Sequence, residues 1–229
     1  MLPTALFAWM LTLAVQQTDS PIVDSRQTFE QAVAGTTAPD SILRTLTLVN
    51  VEYYSFDGRL HSGQIIVHRE LADDIRAAFQ KIKASRFPVQ SVIPVKFDKP
   101  DNGTSMDTLN NTYGFHYRPK TTFKTRQLSA HSYGRAIDIN PFQNPARLRN
   151  GRTIPATGRY EPQAPGTLTA TSPLTRFFRQ AGWHWGGTWA WSKTTCTLKN
   201  GKHSFRVPGA AVVRSLCVPQ GTANRKSML

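Results

Sequence analysis

The sequence predicts one domain that mixes strands with helices, and three stretches predict it. Residues 45–56 (TLTLVNVEYYSF) are rich in β-branched and aromatic side chains and run into Asp57-Gly58, a strong turn signal. A second apolar stretch, GQIIVH at 63–68, follows that turn, so the two read as strands. Over residues 72–85, Ile75, Ala78, Phe79 and Ile82 recur at three- and four-residue spacing, one face of a helix ending before Phe87-Pro88.

Length sets the scale of that domain. A chain of 229 residues holds one proper core and would cramp a second. Charged residues at 18% and hydrophobic ones at 39% exclude intrinsic disorder and a polytopic membrane protein. The remaining elements follow in order. Residues 15–43 read as a polar N-terminal arm with one short helix near 27–34, residues 89–97 as a further strand and residues 101–111 as a polar loop. Residues 144–171 carry Pro, Gly and Arg without a period and read as a long surface excursion. Leu174, Phe177 and Phe178 predict a short amphipathic helix over 173–181, stopped by Gly182, and no internal repeat is visible.

The formal net charge of +14 favours encounters with polyanions, and both nucleic acid and a bacterial wall qualify. A nucleic-acid reader would show a reading module or aromatic residues interleaved with a basic cluster, and neither is present. Glu161 is the last acidic side chain of the chain.

At the N-terminus, an apolar run from about Ala5 to Val15 is too short to span a bilayer and suits the apolar region of a secretory signal. A buried N-terminal helix is the alternative. Export gives a boundary near residue 20, an arm over 21–43, a domain over 44–217 and a tail over 218–229, with the protein periplasmic or secreted, unanchored in the membrane and monomeric. Cys196 and Cys217 suit such a compartment, where one disulfide loop can close, while no CxxC or matching Cys-His pair supports a structural zinc ribbon.

The chemistry concentrates in SAHSYGRAIDINP, residues 129–141. His131 and Asp138 are seven apart, and Gly134 between them breaks any continuous helix. If the chain turns at Gly134 and runs as a strand over 135–139, alternation puts Ala136 and Asp138 on one side and Ile137 and Ile139 on the other. A carboxylate among apolar neighbours needs a cation or several donors, and a metal supplies the cation. A His and an Asp that merely cap a turn are the plainer alternative.

The pattern SxHxxGxAxD, with Ser129, His131, Gly134, Ala136 and Asp138 in place, resembles the zinc-binding signature of the D-alanyl-D-alanine carboxypeptidases, the vancomycin-resistance dipeptidases and the L-alanyl-D-glutamate endopeptidases. The likeness runs from about Tyr53 to His203, through FDGRLHSGQIIV, NTYGFHYRP, DINPFQNP and GWHWGGTW.

What the resemblance implies is an α+β fold of the hedgehog and D-Ala-D-Ala peptidase kind, in which a small central antiparallel sheet flanked by helices carries zinc. The zinc would be held by His131, Asp138 and a later His, best matched by His203, with His184 as competitor. Water fills the fourth position of such a site. Arg118 corresponds to an arginine that grips a substrate carboxylate or polarises the scissile carbonyl. Ser129 is expected to buttress His131 or the substrate, and Trp185, with Trp183 and Trp189, lines a substrate groove or packs the core.

One departure stands out. The family carries a catalytic carboxylate three residues before its last His, and this chain has Asn200 there. An amide cannot move a proton near neutrality. The expected activity is therefore zinc-dependent hydrolysis of an amide bond in peptidoglycan stem peptides with a base from elsewhere, for which His184, Glu161 and Asp107 are candidates. The alternatives are an inactive zinc-holding wall-binding module, and deamidation of Asn200-Gly201 to an Asp.

Overall fold

The computed structural model describes residues 20–96, 109–119, 127–148 and 150–188, and the backbone of residues 198–200. Its framework is an antiparallel hairpin of β2 (Leu46–Tyr54) and β3 (Leu60–His68), in register from Leu46 opposite His68 to Tyr54 opposite Leu60. The Asp57-Gly58 turn closes it, with Gly58 at φ +77°. A short strand β1 (Ile22–Val23) adds parallel to β3.

Helices cover both faces of the hairpin. On one face, α3 (Ala72–Ala84) buries Ile75, Ala78, Phe79 and Ile82 against Val49, Val51 and Tyr53 of β2, the side chains that alternation turns toward it. α4 (Pro173–Gln180) adds Leu174 and Phe178 to the same core, and Gly182 at φ +85° ends it. On the other face, Ile66 and Leu46 pack with Phe115 and with Ala32 and Ile42 from α1 (Phe29–Val33) and α2 (Asp40–Leu43). Burial on two sides is why Ile65, Ile66 and Val67 are all apolar instead of alternating.

Beyond the hairpin the pairing is fragmentary. β4 (Ser91–Val92) pairs parallel with β5 (Asn111–Thr112), and β7 (Ala146–Arg147) pairs antiparallel with β8 (Thr153–Ile154). β6 (Ala136–Ile137), β10 (Leu198–Asn200) and β9 (Trp183–Trp185) form an antiparallel sheet in that order. The α+β class holds, with its strands spread over small sheets of mixed pairing.

Two expectations are corrected. Among the described residues of the strand expected over 89–97, only Ser91–Val92 is regular. Just past it the Asn111 side chain replaces a strand partner, its Oδ1 accepting from Ile93 N at 2.9 Å and its Nδ2 donating to Ile93 O at 2.7 Å. The surface excursion is only partly that, because Asn144, Thr167 and Leu168 are buried. Asn144 Nδ2 donates to Ile139 O at 3.0 Å and Gly166 O at 2.9 Å, while its Oδ1 accepts from Leu168 N at 2.7 Å. The β7–β8 hairpin projects between these buried ends.

Candidate functional site

The turn at Gly134 makes the site. Ser129 caps a 3-10 turn, Ala130–Tyr133, and its Oγ accepts from His131 N at 3.3 Å. Gly134 then reverses the chain at φ +62°, and a Cβ there would lie 2.5 Å from His68 N. Only glycine combines that backbone angle with that closeness. His68 N donates to Gly134 O at 2.9 Å, and the buried Arg135 ion-pairs Glu70 at 2.6 Å, so the end of β3 clamps the turn from outside.

After the turn the strand alternates as expected. Ile137 and Ile139 enter the main core fully buried. Asp138 is turned to the opposite side and is 8% exposed, facing a His131 that is 3% exposed. His131 Nε2 stands 3.4 Å from Asp138 Oδ2. The ring's other nitrogen, Nδ1, is 2.7 Å from Gly114 O. That carbonyl can only accept, so Nδ1 carries a proton and, in the neutral ring, Nε2 presents a lone pair to the carboxylate. Such a facing pair is satisfied by a shared positive centre, either a metal ion held by both atoms or a proton on Nε2 that makes the two an ion pair.

These donors suit zinc. Two ligand atoms about 2.0–2.2 Å from a tetrahedral zinc stand roughly 3.4 Å apart, and metal-bound imidazoles typically give their second N–H to a carbonyl or carboxylate. Among the described residues no group of three His, Cys, Asp or Glu that could hold a metal is gathered. His203, expected as third ligand, lies outside the described residues, as do Asp107, Trp189, Cys196 and Cys217.

Tyr113 is the residue that sequence reasoning missed. It pairs antiparallel with Asp138, exchanging N–H···O bonds of 3.1 and 3.0 Å. Gly114 lets this segment press onto β3, since a Cβ there would meet Ile66 O at 2.3 Å, and Phe115 N donates to the same carbonyl at 2.8 Å. The Tyr113 ring tilts over His131 with centroids 5.2 Å apart, and the Asp138 and Arg118 charges both act on its hydroxyl. Burial, then the Asp138 charge, raise the hydroxyl well above its ordinary value of 10.0, so it is a neutral donor. Its only sequence signal was an aromatic in NTYGFHYRP, and nothing there told that it would pair with Asp138.

Arg118 arrives beside this group on a segment fixed by Ser132, whose Oγ accepts from Arg118 N at 2.9 Å and donates to Arg118 O at 2.8 Å. Ser129 N also donates to Arg118 O, at 3.0 Å. Thus the structure gathers His131, Asp138, Ser129 and Arg118. It does not gather Trp185, His184 and Glu161 in the same way. Trp183 and Trp185 are buried in the main core, where Trp183 Nε1 donates to Asp74 at 2.9 Å. His184 points the opposite way and is exposed on β9, the far strand from β6. Glu161 is exposed in the segment after β8. For Asn200 the backbone alone is described, opposite Trp183 on β10.

Residues 122–195 match a family model described as D-alanyl-D-alanine carboxypeptidase. The span contains Ser129, His131, Asp138, His184 and Trp185, leaves out Tyr113, Arg118, Asn200 and His203, and is narrower than the likeness running from Tyr53 to His203. No curated protein and no solved structure matches the chain. The match supports a hydrolase of the peptidase kind. Among the described residues no helix is long and apolar enough to cross a membrane.

Proposed function

We propose that this chain is an exported zinc peptidase that hydrolyses an amide bond in the stem peptides of bacterial peptidoglycan. The observation that carries the reading is the facing of His131 Nε2 and Asp138 Oδ2 across 3.4 Å, with Nδ1 committed to the Gly114 carbonyl. The family match over the same turn supports it. His131 and Asp138 are two zinc ligands and His203 is the third. Zinc bound there supplies a water whose pKa falls to about 7 and a Lewis acid for the scissile carbonyl.

The chain's own groups do the rest. Ser129 fixes the backbone of His131, and Gly114 O orients its ring. Arg118 binds the carboxylate that stem peptides carry beside their amide bonds, through the two parallel donors a guanidinium offers. The excess of basic residues favours approach to an anionic wall.

The test is to purify the full chain without chelator, measure zinc, and follow release of new amino groups from peptidoglycan. One zinc per chain with chelator-sensitive release is expected. Metal-free protein that leaves the wall uncut would overturn the reading. Asn200, standing where the resemblance expects a carboxylate, favours a second reading, a zinc-holding binder of the wall, and zinc without release would select it.

A further inference from the structure

Glu70 precedes Arg135 by 65 residues in sequence and stands 2.6 Å from it in the fold. Arg135 lies in the bend between the two facing side chains, four residues after His131 and three before Asp138. Its side chain is 9% exposed, and a guanidinium so buried needs a counter-charge. Glu70 supplies it from a firm base. The 3-10 turn that carries it, Arg69–Leu71, is fixed by Arg69 N donating to Thr45 O at 2.9 Å and by Leu71 buried in the main core. The same guanidinium nitrogen stands 3.2 and 3.3 Å from the ring nitrogens of His68, whose backbone N–H holds Gly134 O.

Gly134 is what makes this pair matter to a metal. Glycine is the most pliable backbone a chain offers, so the bend alone does not fix how His131 stands to Asp138. Ties from outside the bend do. His131 is tied through Gly114 O and through His116 N, which donates to His131 O at 3.1 Å, and Asp138 is tied by its backbone pairing with Tyr113. Between the two, Arg135 is tied to Glu70.

We infer that Glu70 is a positioning residue of the metal centre, which acts through the Arg135 guanidinium to hold the bend so that His131 Nε2 and Asp138 Oδ2 face each other before any ion arrives. The inference rests on the zinc site of the peptidase reading and goes beyond it. It makes zinc affinity depend on a half-exposed carboxylate of another element, the turn that leads into α3.

The experiment uses the metal-free full chain of the parent, Glu70→Gln, Glu70→Asp, Arg135→Met and the double variant Glu70→Gln/Arg135→Met. Competition with a chromophoric chelator reads zinc affinity, calorimetric melting reads the fold, and the visible absorption of cobalt(II) in place of zinc reads the ligand arrangement. Glu70→Gln should weaken zinc about tenfold, the low end of what is lost when a group behind a metal ligand is changed, and should alter the cobalt spectrum. Glu70→Asp keeps the charge on a shorter arm and should recover part of the affinity. In the double variant both charges are gone, and melting should return toward the parent, because an apolar replacement of a buried pair costs little. Zinc should still bind about tenfold more weakly there, with no loss beyond the single variants, as expected when one residue acts through the other.

Parent-like zinc affinity and cobalt spectrum in Glu70→Gln overturn the inference while leaving the peptidase reading untouched. So does a double variant that binds zinc as the parent does, which would make the pair a support of stability only; this variant also decides the matter if Glu70→Gln fails to fold. A parent that binds zinc in a Glu70-dependent way but never cuts the wall supports the inference while removing the peptidase reading. A parent that takes up no zinc overturns both.

Discussion

Tyr113 and Asp138 are joined by a reciprocal pair of backbone hydrogen bonds, 3.1 and 3.0 Å long. The backbone pair would survive any change to the carboxylate. Asp138→Asn is therefore expected to leave the metal-free protein's melting temperature within a few degrees of the parent, while zinc affinity falls by more than about a hundredfold, beyond the usual cost of losing a residue behind a metal ligand. Competition with a chromophoric chelator reads the affinity, and calorimetric melting reads the fold.

Gly134→Ala tests the turn itself. It puts a side chain at φ +62° and a methyl 2.5 Å from a backbone nitrogen of β3. A loss of about 2 kcal/mol or more is expected, because the left-handed angle alone costs roughly 1–2 kcal/mol and the clash adds to it. Urea denaturation of the metal-free protein measures it.

His61 gives the protein a pH signature away from the site. Its Nδ1 is 3.0 Å from Asp24, its Nε2 is 3.2 Å from Asp57, and Tyr53 stacks beside it while bonding Asp24. Burial alone would lower its pKa, but hydrogen bonds and charge from the two carboxylates outweigh that and raise it above 6.5. A folded value above the unfolded one gives stability that is complete below the unfolded pKa and is lost as pH rises through the folded one. Denaturation midpoints should fall as pH rises past 6.5 and through the raised folded pKa, and His61→Gln should flatten that slope.

Asn200→Asp restores the carboxylate that the resemblance leads one to expect. With zinc bound, kcat on stem peptides should rise by about tenfold or more, within the ~10²–10⁴-fold that general acid–base catalysis supplies. An unchanged kcat would show that proton transfer is handled by another group.

Much of the fold was legible because local rules and global packing agree. The hairpin, α3 and α4 follow from alternation, three- and four-residue spacing, and the stops at Asp57-Gly58 and Gly182. In the site, the turn at Gly134 and the opposite facing of Asp138 and Ile137 were readable for the same reason. Tyr113 and Asn144 were not readable, since their roles arise from pairings with Asp138, 25 residues on, and Leu168, 24 residues on. Asn111 escaped too, because a side chain that mimics a strand leaves no period to detect.

Asn144 has an architectural consequence. By gripping Leu168, 24 residues later, as well as the chain just past Asp138, it ties the neck of a long closed loop whose interior the neighbouring turn does not feel. The sequence between Ala146 and Ile154 is thus interchangeable in principle. Hairpins of other lengths or charges can hang from the same knot while the facing pair of His131 and Asp138 stays as it is.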